Sequence, residues 1–338
     1  MAGVSRTTVS LVLNNVPGVQ IGAETRQRVL EAAKTLGYVP NAAAKALASR
    51  RSHIIGLVLT RDPHHIASDA FLNQILDGLI AAVHQNEMRL LIDIVETRHQ
   101  KKAYLELIRA KRIDGIILSG PRFDDEALME LEKDGFPTVL MGQLPGSNFH
   151  SVDVDNRAAA FQAVTHLIEH GHRRIACITN ASLNYTAAAD RLIGYRQALA
   201  AAGIPYAESL IRYGDFDPRS GYNQMKSLLE QKIAFTAAFV ASDVVTLGAM
   251  AAIRQAGKAI PEDIALASFD DVPLARYLDP PLTTVRLPAS ELACKAFEIL
   301  NGLIQGRPPA VRQVLLNTNL IERSSCGRNT IQNTGSGF

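Results

Sequence analysis

The stretch IIGLVLT at 54–60 decides the fold. It is a short, continuous apolar run rich in β-branched residues and leucine. Such a run fits a strand buried on both faces. Six more follow: LLIDIV (90–95), GIILS (115–119), TVLM (138–141), RIACIT (174–179), AAFVA (237–241) and DIALASF (263–269). Helix-length amphipathic stretches lie between them, for example at 73–86, 156–170, 190–202 and 243–256. Continuous apolar strands alternating with helices predict parallel sheets covered on both faces. The number of runs predicts two such sheets, hence two lobes.

Working outward, 338 residues exceed one ordinary domain and suit two or three. The composition, 47% hydrophobic and 20% charged, fits a globular protein. No apolar run approaches the ~20 residues that cross a bilayer, and MAGVSRTTVS lacks the layout of a secretory signal. The reading is a cytoplasmic protein without a membrane partner. The three cysteines, Cys177, Cys294 and Cys326, are odd in number and far apart. That spacing argues against a disulfide framework and against zinc, so neither cofactor nor metal is expected. The net charge of +2 conceals an asymmetry: residues 1–52 hold seven Lys/Arg against two Glu, a net of +5, and the rest carries −3. A basic head on a mildly acidic body points to an anionic partner for the head, nucleic acid first.

In the head, 5–14 reads as a short helix capped by Ser5, with Val9, Val12 and Leu13 on one side. NNVPG (14–18) is turn chemistry. A second helix is expected at 24–36, where Glu24 suits the positive N-terminal end and Gly37 the stop. Pro40-Asn41 then opens the alanine-rich segment AAAKALASRR.

AGVSRTTVS (2–10), ETRQRVLEAAKTLGY (24–38) and PNAAAKALASR (40–50) together resemble the headpiece of the lac repressor family, in the family's order and nearly at its spacing. GHRRIACI (171–178), DRLIGYRQAL (190–199), PEDIALASFDD (261–271) and PPLTTV (280–285) extend the likeness to about residue 323. The resemblance implies an α/β, two-lobed, type I periplasmic-binding-protein-like body of two parallel-sheet Rossmann-like lobes, preceded by a small all-α helix-turn-helix headpiece and a hinge helix. The expected division is headpiece 1–40, hinge 41–52 and body 53–323. The first lobe takes 53–155 plus 286–315 and the second 156–285 plus 316–323. Residues 324–338 are expected to form a disordered tail. The family carries a further helix ahead of AGVS, so the expected gene start lies upstream of Met1.

By the same resemblance, 5–14 is the recognition helix of the major groove. Arg6 is suited to guanine O6/N7, and Thr7 and Ser10 to a base edge or phosphate. Asn14 is placed on phosphate. Nine or ten residues after Asn41 are too few for a stable isolated helix, so the hinge folds when two copies pair on DNA. Leu47 matches the wedge that opens a base step, or else packs against the headpiece. Leu11 stands where the family has a basic residue and Gly22 where it has a Ser cap, so relatives' base preference does not carry over.

For the body the resemblance implies a small sugar between the lobes. Arg191 matches the arginine that forks onto sugar hydroxyls. Asp270 matches an acceptor at a strand's carboxyl end. Phe216 matches a ring stacked on the sugar face, or is core. Ser242 and Asp243 open a helix, where they cap it, touch ligand, or both. Ser119 is a weaker first-lobe candidate. Phe71 either stacks on ligand or packs under the helix near Asn73. His64 and His65, in the segment TRDPHHIASDAF (60–71), suggest a lid; no metal set is legible around them. Near Met141-Gly142-Gln143, where the family often has an aspartate, this sequence has none.

Two other classes fit the sequence less well. An exported sugar-binding protein would share the body but leaves the +5 head without a purpose. An enzyme would need more than the adjacent carboxylates at Asp124-Asp125 and Asp270-Asp271, and no nucleophile elbow or phosphate loop accompanies them. The expectation is a regulator, a repressor rather than an enzyme: a homodimer on near-palindromic double-stranded operator DNA, with affinity controlled by a sugar.

Overall fold

The computed structural model describes residues 2–13, 18–38, 51–95, 106, 108, 112–231 and 233–327. The headpiece supplies α1 (Arg6–Leu13) and α2 (Ala23–Thr35). Ser5 caps α1: its Oγ accepts from Thr8 N at 3.1 Å, satisfying an amide the helix leaves open. Gly22 precedes α2 without a side-chain cap, and Gly37 ends it at φ 59°. Val12 and Val29 are buried, but Leu36, which periodicity assigns to the same stripe, is 61% exposed. It lies beyond the last helical residue, where the helical period no longer sets its direction.

Twelve described strands form two six-stranded sheets. The first contains β1 (Ile54–Leu59), β2 (Arg89–Ile94), β3 (Gly115–Ser119), β4 (Thr138–Met141), β5 (His150–Val154) and β11 (Gln313–Leu316), in the order β11-β5-β4-β3-β1-β2. All its pairings are parallel. The second contains β6 (Ile175–Thr179), β7 (Ile211–Tyr213), β8 (Ala237–Val240), β9 (Ala265–Asp270), β10 (Thr283–Arg286) and β12 (Asn319–Ile321), in the order β12-β10-β9-β8-β6-β7. Here β12 runs antiparallel to β10 while the other pairings are parallel. The reversal follows from connectivity. The chain leaves β11 at its carboxyl end and enters the second sheet two residues later, so it can only run back against β10.

The described helices cover the sheets as α3 (His64–Ser68), α4 (Ala70–Gln85), α5 (Glu126–Lys133), α6 (Asn156–Glu169), α7 (Thr186–Ala201), α8 (Pro218–Glu230), α9 (Asp243–Gln255) and α10 (Ala289–Ile304). Helix α10 packs on α4 in the first lobe, while α6 packs on α7 and α8 on α9 in the second. The pairing of α6 with α7 depends on Gly194, where a Cβ would come within 2.2 Å of Arg157 O. Where the chain enters the body, Asp114 accepts from Ser52 N, Ser52 Oγ and His53 N at 2.7, 2.8 and 2.9 Å. No helix among the described residues is long and apolar enough to cross a membrane.

Ser324, Ser325 and Cys326, expected to open a disordered tail, are folded. Residues 324–326 form a 3-10 turn with Ser325 and Cys326 buried. Ser325 Oγ donates to Leu266 O at 2.7 Å and accepts from Thr283 N at 2.8 Å. A polar composition suggested solvent, but these two bonds satisfy otherwise open backbone groups and hold the segment in. Residues 328–338 lie outside the described residues, as do Asn14, Asn41 and Leu47.

Candidate functional site

The carboxyl ends of β3, β4, β5, β6 and β9 surround a cleft between the lobes. Arg191, Asp270, Phe216, Ser242, Ser119 and Phe71 all line it.

Arg191 is buried on α7, drawn toward α6 by the Gly194 contact. Its Nε donates to Asn156 Oδ1 at 2.9 Å and its Nη1 to Ala241 O at 2.7 Å. The guanidinium carbon stands 3.8 Å from the centroid of the Phe269 ring, and Asp270 Oδ1 is 3.7 Å from Nη1. Burial pulls the Arg191 pKa down, opposed by the carboxylates of Asp270, Asp153 and Asp243. Burial likewise pushes Asp270 well above the usual carboxylate range, against the pull of Arg191 and with added repulsion from Asp243 and Asp69. Asp270 and Asp271 both have positive φ, 116° and 54°, at the end of β9. Two successive non-glycine residues there are strained and set the direction of the Asp270 side chain.

Asn156 joins the lobes chemically. Its Nδ2 donates to both oxygens of Asp153, at 3.1 and 3.2 Å, while its Oδ1 accepts from Arg191. Asp153, at the end of β5, lines the cleft, and burial pushes its pKa up to about 6. It supplies an acidic group one strand over from Met141 and Gly142, which line the same cleft.

The second aromatic group is Phe216, at φ 54°. Its ring meets Tyr185 edge-on at 4.9 Å and lies 4.5 Å from the Arg61 guanidinium. Arg61 is ion-paired to Asp69, which also caps α4 through Phe71 N and Leu72 N. Phe71 packs against the cores of both lobes. The sequence reading missed Arg61, Asp69, Asp153, Asn180 and Tyr185, all of which line the cleft. Their signal is weak because each is a single polar residue at or just past a strand's end or opening a helix. Asn180 Oδ1 and Arg61 Nε, both buried here, have no hydrogen-bond partner among the described residues. Buried polar atoms without partners are rare and mark places where another molecule bonds.

Asp243 is the one expected cleft residue that lies elsewhere. It is buried at the start of α9, where Oδ2 accepts from Val272 N at 2.9 Å and Oδ1 from Thr284 Oγ1 at 2.7 Å. Both oxygens face inward and tie α9 to the end of the sheet. Ser242, one residue earlier, is the N-cap position and keeps its hydroxyl at the cleft. His65 approaches Asp215 of the second lobe at 3.4 Å. In the headpiece, Ser5, Arg6, Thr7 and Ser10 are all exposed on α1, with Ser5 Oγ engaged as the cap.

A family profile described as bacterial regulatory proteins, lacI family, matches residues 1–41, and one described as periplasmic binding protein-like domain matches 164–326. The HTH-type transcriptional regulator CelR of Thermobifida fusca is 34% identical over 328 residues, 96% of this chain and 96% of its own length. A solved CelR–cellobiose complex superposes with a TM-score of 0.76 at 33% identity, covering 96% of this chain and 97% of that one. The lac repressor dimer bound to operator and the anti-inducer ONPF gives a TM-score of 0.84 at 30% identity, covering 97% of each chain. With a small helical headpiece at one end and a cleft between two α/β lobes in the body, this chain belongs to the lacI family of bacterial regulatory proteins.

Proposed function

We propose that this transcriptional regulator is a cytoplasmic repressor that binds near-palindromic operator DNA as a homodimer and releases it when a small sugar occupies the cleft. The observation that carries the sugar reading is the Asp153–Asn156–Arg191–Asp270 network. It offers a guanidinium and two carboxylates around a volume that also holds the unpartnered Asn180 Oδ1 and the Phe71 and Phe216 rings. Rigid donors and acceptors beside an aromatic face suit vicinal hydroxyls and the C–H face of a sugar. Cellobiose is the first sugar to test, since CelR is solved with it.

The reading is a binder and not an enzyme. Of the two adjacent carboxylate pairs, Asp271 is held by Arg286 at 2.7 Å and Arg323 at 2.6 Å, away from Asp270. Asp124 is forked by Arg122 at 2.8 and 2.7 Å, and Asp125 caps α5. Neither pair converges on one reacting atom.

On DNA, Arg6, Thr7 and Ser10 are the base-reading residues, with Ser5 and Asn14 at the backbone, Asn41 capping the hinge and Leu47 as the wedge. Sugar binding closes the lobes. Closure moves the anchor that Asp114 provides for Ser52 and His53, and the hinge pair separates and loses helix. The experiment is calorimetric titration of the full chain with a panel of mono- and disaccharides including cellobiose, with operator binding measured with and without each sugar. One sugar should bind and lower operator affinity. A panel without binding overturns the sugar reading, and binding without any effect on DNA overturns the switch. Arg6→Ala should lower operator affinity by about 1–3 kcal/mol and relax preference at one base position.

A further inference from the structure

About 15–20 Å along α6 from Asn156, two histidines one turn apart meet the 3-10 turn at Ser324–Cys326. We propose that His166, His170 and Cys326 form a binding site for a zinc-class transition-metal ion. One ligand-capable atom from each lies within 4.8 Å of the others. His166 Nε2 stands 3.1 Å from Cys326 Sγ. Zinc bonded at its usual lengths to an imidazole nitrogen and a thiolate sulfur holds the two about 3.5 Å apart, so a shift of a few tenths of an ångström admits the ion.

The surroundings are those a metal site needs. A metal-bound histidine usually donates its other ring nitrogen to a carbonyl or carboxylate, which fixes tautomer and orientation. His170 Nδ1 donates to His166 O at 2.8 Å, which leaves Nε2 with its lone pair. Glu322 Oε1 lies 3.8 Å from His166 Nδ1, on the side away from the thiol-facing nitrogen. The thiol is held from behind: Thr283 Oγ1 is 3.2 Å from Sγ, and Ser325 is bonded to Leu266 and Thr283. His166 and Cys326 are buried and His170 is half-buried, while the Glu322 side chain is 68% exposed. The ion therefore enters from solvent beside the half-buried His170, where a water completes four-coordination. On ligation the thiol proton leaves to solvent as the sulfur–metal bond forms.

Thiolate with imidazole selects zinc, cobalt(II) or copper(I) over magnesium and calcium. A second group, His64, His65 and Asp217, lies within the same distance limit. It carries less, because Asp217 Oδ1 already accepts from Ser220 N at 2.6 Å as the cap of α8. Cysteine spacing alone gave no hint of the first site, since Cys326 and His166 are 160 residues apart. Metal there fastens the turn Ser324–Cys326 to the helix whose first residue, Asn156, holds Arg191.

The test is titration of the full chain, stripped with chelator and desalted, first with cobalt(II) and then with zinc(II). One equivalent of cobalt should give intense tetrahedral ligand-field bands and a thiolate-to-cobalt charge-transfer band, and one equivalent of zinc should abolish both. Zinc should also raise the Tm. Cys326→Ser should remove the charge-transfer band. His170→Asn, at a half-buried position that tolerates the change, should weaken metal binding by about 10- to 100-fold or more while the circular dichroism stays native. Cys294→Ser should change nothing. Weak octahedral bands, a charge-transfer band that survives Cys326→Ser or disappears with Cys294→Ser, or an unchanged affinity in folded His170→Asn overturns the site.

Discussion

The two lobes share one architecture, yet they meet the cleft with different kinds of chemistry. The second lobe offers groups locked in place. Arg191 is fixed by Asn156 and Ala241 O, laid on the Phe269 ring, and faced by an Asp270 whose backbone is strained into position. The first lobe offers groups that reach across. Arg61 lies on Phe216, His65 approaches Asp215, and Thr60 O accepts the Tyr185 hydroxyl. Phe123 N donates to Asn184 O at 2.9 Å, and Pro121 O accepts from Thr186 N at 3.2 Å. A site built this way has a preorganised grip on one side and a docking face on the other. Preorganisation reduces the ordering cost of binding, and the docking face converts occupancy into lobe position.

The sharpest way to break this contrast is Arg191→Ala. It removes the contacts to Asn156, Ala241 O, the Phe269 ring and Asp270 at once and should lower sugar affinity by about 100-fold or more, in line with losing a charged hydrogen-bonding anchor. Operator affinity without sugar should stay near wild type. Calorimetry and operator titration read the two separately. A mutant that still responds at the same sugar concentration moves the grip elsewhere. Because a buried Asp270 loses its cation, Arg191→Lys serves as the folded comparison.

A second effect concerns the first lobe's carboxylate. The Asp153 pKa, raised by burial to about 6 from 3.8, means the folded chain holds a proton that the unfolded chain releases. The native state therefore binds more protons between these values, and stability falls as pH rises through that window. The loss is at most about 3 kcal/mol, less as solvent screens the partly exposed side chain. Asp153→Asn should flatten the dependence of the urea midpoint on pH between about 4 and about 6. Sugar affinity in the wild type should rise over the same interval, as the ionised carboxylate becomes a stronger acceptor. An unchanged slope in the Asn variant removes Asp153 from the site.

Phe216→Leu keeps apolar volume but loses the ring that meets Tyr185 and Arg61 at the cleft. Sugar affinity should fall by about 0.5–1.5 kcal/mol, read by calorimetry. Smallest is Tyr185→Phe, which removes the hydroxyl bond to Thr60 O at about 1 kcal/mol. Since that bond joins the lobes, the change should appear in the coupling between sugar and operator and not in the sugar contacts. Equal loss in both measurements would make Tyr185 part of the grip.

Six internal strands and the edge strand β2, through its run LLIDIV, were legible in the sequence; the other edges and the internal strands β5 and β10 were not. Strands β1, β3, β4, β6, β8 and β9 are buried on both faces and so read as unbroken apolar runs. The edge strands β7, β11 and β12 are three or four residues long and half-exposed, with no comparable signal. Strand β5, HSVDV, carries polar residues because its end faces the cleft, and it hid Asp153 for that reason.

By itself the sequence determined two parallel-sheet lobes behind a basic helical head, because period and charge are local properties of the chain. It pointed to Arg191, Asp270 and Phe216 through motifs that a family resemblance makes readable. Only tertiary structure decided which polar groups converge. It turned Asp243 inward to Val272 and Thr284, brought Asn156 between Asp153 and Arg191, and set Cys326 against His166. Convergence depends on distances closed by packing between remote segments, and no local pattern encodes them.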